Sequence, residues 1–371
     1  MVAKKRISVA ATILIMVVAF PFSAIAQTKH ISKWFVKNYQ FDFLTNPVTI
    51  SQLEEPFYDK TNRNRNVYFD ADGRVRLVQV GFTLYDGDGN EIKYEDGEPS
   101  VNFSHFIPLP NNDNIICGIG GGALYKIDIE KNEIISVENI NFTNFRAVHN
   151  ADCSGVWLFW TDGYSIKRQL LTSDGIKEAY STPLNNVGTQ NASCNLSWDC
   201  KYYTWSDYVC DNLCEHVVYF GVFDRRTATF RQTAMHNFGG KVYKGVFAPD
   251  NSKVYFSIQQ NGEKIVEVPI VDDVPDFNRM RTICQFNYSP PHLLSSVHFG
   301  LDGRLYVFDM DKVHVIEFFD DGQFKVTKNF LTLEGNSYSH GFGSYLFDWY
   351  SDDPCFGSPC PDMPAPVIIA E

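Results

Sequence analysis

Residues 247–256, FAPDNSKVYF, and residues 298–308, HFGLDGRLYVF, decide the architecture. Each sets an aspartate in a short polar turn between two runs of aromatic and β-branched residues, which is how a β-hairpin looks in sequence. Working outward, the pattern occurs six times: at Asp72 (DADGRVRLV), Asp113 (NNDNIICGI), Asp152 (ADCSGVWLFW), Asp199 (SWDCKYYTW), Asp250 and Asp302. Successive aspartates are 41, 39, 47, 51 and 52 residues apart. A period of about 40–50 residues with roughly four short strands per unit marks a β-propeller blade.

One blade per turn gives an all-β propeller with repeats at 57–96, 101–142, 145–186, 192–238, 241–288 and 292–335. Two strand-like pieces remain, WFVKNYQFDF (34–43) and GFGSYLFDWY (341–350). An open ring would leave sheet edges unpaired, and a blade built from both chain ends removes them. The sequence therefore predicts seven blades, the seventh composite. Six blades, with both ends packed outside the ring, is the alternative.

The chain of 371 residues divides into three parts: 1–26, 27–353 and 354–371. Residues 1–26 read as a secretory signal: basic Lys4, Lys5 and Arg6, an apolar Ile7–Val18, and Ala24-Ile25-Ala26 before Gln27. That apolar stretch is shorter than the ~20 residues a membrane span needs, and Pro21 interrupts its end. Cleavage near Ala26 and export to the periplasm, cell surface or medium are expected. Residues 27–353 are the propeller, and the proline- and cysteine-containing 354–371 read as a tail. Removing the signal leaves 29 Lys+Arg against 44 Asp+Glu, a charge of −15. Such a surface disfavours nucleic acid and anionic lipid as partners.

Export makes disulfides plausible for the nine cysteines. Cys210 with Cys214, Cys355 with Cys360 and Cys194 with Cys200 are the pairs close enough in sequence to staple a loop. Cys117 and Cys284 sit in apolar strand runs and read as buried thiols.

No motif identifies a chemistry, and neither a cofactor, a metal nor a catalytic residue is expected. Asp86, Asp88 and Asn90 (DGDGN) begin like a calcium loop, but Glu91 and Gly97 stand where that loop needs Gly and Glu. A hairpin turn is the better reading. Cys210, Cys214 and His216 offer three zinc ligands without an evident fourth. The run Ile116–Gly122 is glycine-rich but is not a phosphate loop. His105, His149, His298 and His340 fall near blade entrances, where a side chain can face either the central channel or the packing between blades. The six aspartates read as turn pins, each carboxylate accepting backbone N–H groups of its own turn.

Four stretches carry a family likeness: Trp34-Phe35 with FDF, DADGRVRLV with LYDGDGNEI, FRAVHNADCSGVWLFW, and the paired turns APDNSKVYF and GLDGRLYVF. On these the chain resembles the secreted, WD40-like propeller modules on the surface proteins of gliding, polymer-degrading bacteria of the Bacteroidetes type. The resemblance implies a seven-bladed exported module and brings no catalytic residues with it. The expectation is a non-catalytic propeller binding a protein or glycan on one ring face. A propeller enzyme acting on polysaccharide, as hydrolase or lyase, and a structural spacer are the alternatives.

Overall fold

A computed structural model describes residues 33–333, apart from 37–38, 44, 55–64, 71–73, 94–100, 102, 110–111, 141–144, 153, 162–164, 184–192, 210–214, 261, 287–293, 301 and 310–311. Seven small antiparallel sheets follow one another along the chain and form the ring of a seven-bladed β-propeller. Blades 1 to 7 span 33–52, 65–86, 103–139, 145–183, 193–237, 241–286 and 294–332. Helix is nearly absent: among the described residues there is one 3-10 turn, Phe277–Arg279. The sequence period thus counted six blades correctly, and the end of the chain nearest Trp34 supplies the other.

That first blade differs from the expected single piece. Residues 34–43 are two strands, Lys33–Val36 and Tyr39–Asp42, and a third, Thr49–Gln52, pairs beside them. Only two residues join the first two strands, so the aromatic run gave no break to read. Residues 341–350, expected to complete this blade, lie outside the described residues.

Within a blade the strands meander in chain order. The first strands approach each other from blade to blade: Arg65–Phe69 meets Phe103–Leu109, and Lys241–Phe247 meets both Ser193–Leu196 and Leu294–Phe299. First strands therefore line the axis. Last strands such as Thr229–Asn237 and Phe324–Thr332 form the exposed rim. Middle strands are buried on both faces, as in Lys253–Gln259, which explains why they read as continuous apolar runs instead of alternating ones.

The core lies in the seams between blades. Trp34, Phe41 and Phe43 of blade 1 pack on Tyr306, Phe308, Val313 and Val315 of blade 7, joining the first described blade to the last. Gly118, in the glycine-rich run, lies under the Phe103 ring: a Cβ there would be 2.8 Å from it. Close packing next to the inner strand, as expected of that run, accounts for the residue.

Candidate functional site

A meander places the turns of a blade alternately on the two ring faces. Turns joining first to second and third to fourth strands share one face. Second-to-third turns and the connections between blades share the other. On the first face the inner hairpins of blades 2, 4, 5, 6 and 7 have five-residue turns, 70–74, 150–154, 197–201, 248–252 and 300–304, while blades 1 and 3 turn in two residues. On the second, the connections that follow a fourth strand range from 238–240 to 184–192.

The first face is built on aspartate. Asp152 Oδ1 accepts the Ser154 N–H (3.0 Å) and hydroxyl (2.7 Å), and Asp250 binds Ser252 alike at 3.0 and 2.8 Å. Asp199 accepts from the Lys201 N–H at 2.9 Å and the Ser197 hydroxyl at 2.6 Å. Asp302 accepts from the Arg304 N–H at 3.2 Å and the Tyr306 hydroxyl at 2.8 Å. These four carboxylates are turn pins. The Ser154 hydroxyl and N–H hold the Asp152 pKa below the ordinary carboxylate value. Blade 3 departs from the expectation: its inner turn is 110–111, and Asp113 lies in the strand Asn112–Gly120, with Asn112 accepting the Asn114 N–H at 3.1 Å; the Asp113 side chain and Asp72 lie outside the described residues. In blade 2, Asp70 accepts the Arg74 N–H at 2.9 Å.

A second set escaped the sequence reading. Asp128, Asp224 and Asp321 accept N–H groups in the turns before the outer strands. Asp86, at the end of Thr83–Asp86, accepts the N–H groups of Asp88 (2.9 Å) and Asn90 (2.8 Å) and the amides of Asn90 and Asn132. Burial pushes the Asp86 carboxyl up, but those donors outweigh it and its pKa falls below the ordinary value. The DGDGN segment is thus a hairpin turn whose first carboxylate is occupied by protein donors. The missed set had a weak signal, an acid ending an outer-sheet strand, without the flanking repeat that marked the first set.

Of the four candidate histidines, only His298 and His149 have described side chains, and they lie in different blades. His298 is buried beside Trp34 and Phe308, with ring centroids 6.2 and 6.4 Å away, in the seam between blades 7 and 1. His149 ends the strand Phe145–His149, and its carbonyl accepts from Arg225 of blade 5 at 3.1 Å. His105 lies on Phe103–Leu109 with its side chain outside the described residues, and His340 lies outside them altogether. Of the proposed zinc ligands, His216 is placed only by its backbone in Glu215–Asp224, and Cys210 and Cys214 lie outside. Among the described residues no group of three His, Cys, Asp or Glu side chains could hold a metal.

The expected Cys194–Cys200 disulfide is not formed. Cys194 lies mid-strand opposite Trp205, while Cys200 occupies the left-handed corner of the turn below, at φ 56°. Cys117 and Cys284 are buried thiols, and burial pushes the Cys117 pKa up to about 12, far from a reactive thiolate. Cys153, Cys210, Cys214, Cys355 and Cys360 lie outside the described residues.

The most charged buried cluster is structural. Glu267 receives Arg281 Nε at 2.8 Å, the Tyr255 hydroxyl at 3.0 Å and Lys253 Nζ at 3.3 Å. Burial raises its pKa, yet the Arg281 guanidinium, Lys253 and the tyrosine hydroxyl together bring it below the ordinary value. At the rim, Asp273 accepts from Lys201 Nζ at 2.7 Å and from the Tyr202 hydroxyl, clasping blade 6 to blade 5.

On the second face, Phe82 occupies the tip of the two-residue turn between Val75–Val80 and Thr83–Asp86 and is 55% exposed. The aromatic residue is held out on a hairpin rather than folded under it.

No protein-family model matches the chain, and no curated protein matches it in sequence. Many solved structures match in shape. The Dos1 propeller is 12% identical with a TM-score of 0.49, over 82% of each chain. A quinonprotein alcohol dehydrogenase-like protein from Bacteroides thetaiotaomicron is 12% identical with a TM-score of 0.48, over 81% of this chain and 76% of that one. Hydrazine synthase of Kuenenia stuttgartiensis is 14% identical with a TM-score of 0.47, over 81% and 94%. At such distances these likenesses carry no argument about chemistry. What the sheet order itself establishes is a seven-bladed β-propeller, with aspartate-pinned inner turns recurring on one face.

Proposed function

We propose that this chain is an exported, non-catalytic β-propeller that binds a protein or glycan on the face carrying the connections between blades. The observation that supports it most is the contrast between faces. Five-residue inner turns recur in five blades on one, while the other carries connections from 238–240 to 184–192 and the exposed Phe82. Uniform turns serve the fold, whereas variable loops on a rigid scaffold are where binding residues concentrate. An exposed aromatic ring suits stacking on a sugar or packing on a peptide.

Residues 1–26 are the proposed export signal, and 27–353 the propeller it delivers outside the cytoplasm. Mass spectrometry of the exported protein should find a chain beginning at Gln27. Glycan- and protein-array binding of the full mature chain tests the main reading, run beside a screen for polysaccharide breakdown. Phe82→Ala should weaken captured binding several-fold with an unchanged denaturation midpoint. Turnover of any polysaccharide by the purified protein would establish the enzyme instead.

A further inference from the structure

The inner-strand pair that faces the next blade can be compared from blade to blade. The second paired rung outward from each turn is Tyr68 with Leu77, Val148 with Trp157, Asn195 with Thr204, Val246 with Tyr255, and His298 with Tyr306. Opposed residues of an antiparallel pair share a sheet face. In blades 4, 6 and 7 a large aromatic side chain fills this position and its polar atom is satisfied. Trp157 Nε1 donates to the Arg225 carbonyl at 2.9 Å, the Tyr255 hydroxyl to Glu267 at 3.0 Å, and the Tyr306 hydroxyl to Asp302 at 2.8 Å.

Blade 5 breaks the pattern. Asn195 and Thr204 are 2% and 1% exposed. Asn195 Nδ2, Asn195 Oδ1 and Thr204 Oγ1 have no hydrogen-bond partner among the described residues. Thr204 faces blade 6, because a Cβ added to Gly245 would come within 2.8 Å of its Oγ1. Of the five seams compared, this one has small polar residues in place of a large ring, and they leave a donor and two acceptors in the interior.

Leaving such groups bare costs their full desolvation, and native interiors almost always satisfy them. We infer that the inner edge of the seam between blades 5 and 6 is a hydration site, in which ordered water bridges the Asn195 amide and the Thr204 hydroxyl. Water fits the chemistry because it both donates and accepts, and a molecule needs only about 30 Å³ and two to four polar partners. An apolar guest would leave all three atoms unsatisfied. An ion would lack a formal counter-charge on these two side chains.

Water-oxygen relaxation dispersion on the full mature chain counts long-lived internal waters. The Asn195→Val/Thr204→Val pair should lose at least one of those present in the wild type, and Thr204→Ser, which keeps the hydroxyl, should retain them. A high-resolution crystal structure of the wild type should show density within hydrogen-bond distance of both Asn195 and Thr204, a readout that holds even if the valine pair fails to fold. An unchanged count in a folded valine pair would overturn the inference. So would density showing both side chains bonded only to protein atoms.

Discussion

Two seams of this ring are held in different ways. Between blades 7 and 1 the contact is an aromatic cluster backed by Val313 and Val315. Trp34 lies 4.4 Å from Phe43 and 5.4 Å from Tyr306 between ring centroids, and Phe41 lies 6.1 Å from Tyr306. Between blades 5 and 6 an apolar centre, with Tyr202 stacked on Phe247 at 6.2 Å, is flanked by polar devices. Asp273 clasps Lys201 and Tyr202 at the rim, and Asn195 and Thr204 lie at the inner edge. The difference follows from what each seam must do. Blades 5 and 6 are neighbours in sequence and meet cheaply, whereas blades 1 and 7 meet only when the whole chain has closed, so loop-closure entropy falls on that one seam. Aromatic burial, non-directional and large, is the contribution suited to offset it. The seam between blades 6 and 7 stands between the two, apolar but carrying the Glu267 cluster.

The largest effect should come from removing the closing ring. Trp34→Ala is expected to cost about 3–5 kcal/mol in urea unfolding, as for other buried aromatic truncations. A loss below about 1 kcal/mol would show that closure does not depend on this seam. Next is Gly245→Val, whose Cβ would meet Phe256 at 2.7 Å and Thr204 Oγ1 at 2.8 Å. Overpacking there should cost about 1–3 kcal/mol. Combining it with Thr204→Ala should cost less than the sum of the two, since the pair shares one contact.

Glu267→Gln leaves Arg281 and Lys253 without their carboxylate, and the partly exposed cations limit the cost to about 1–2 kcal/mol at pH 7. The pH dependence has a definite sign. The folded pKa of Glu267 lies below its ordinary value, so its contribution is present above the unfolded-state pKa and is lost as pH falls through the folded one. The gap between wild type and Glu267→Gln in urea midpoints should therefore be full at pH 7 and close below about pH 4. Smallest is Asp273→Ala. The clasp is exposed on both sides, so the midpoint should stay within experimental error, and a measurable loss would mean that blades 5 and 6 rely on their rim.

Legibility followed the same division. The inner hairpin turns were readable because five consecutive steps repeat an aspartate with flanking apolar runs. The pins at Asp128, Asp224 and Asp321 were not, because none carries that repeat; the hairpin at Asp86 was legible, but its donors Asn90 and Asn132 were not. The histidines could not be placed at all. Whether His298 faces the channel or Trp34 depends on strand register and on a partner more than two hundred residues away in sequence. The Cys194–Cys200 pairing looked natural from spacing, and strand geometry separates it.

By itself the sequence determined the β class, the blade period and the turns, because local chemistry sets them: aspartates that accept N–H groups within a few residues, and β-branched or aromatic runs that pleat. Only the tertiary structure decided the rest. It split residues 34–43 into two strands, set Trp34 against blade 7, and buried Asn195 and Thr204 where other blades place an aromatic ring. Those outcomes depend on which faces meet across a seam, and contacts between residues distant in sequence leave no periodic mark in the chain.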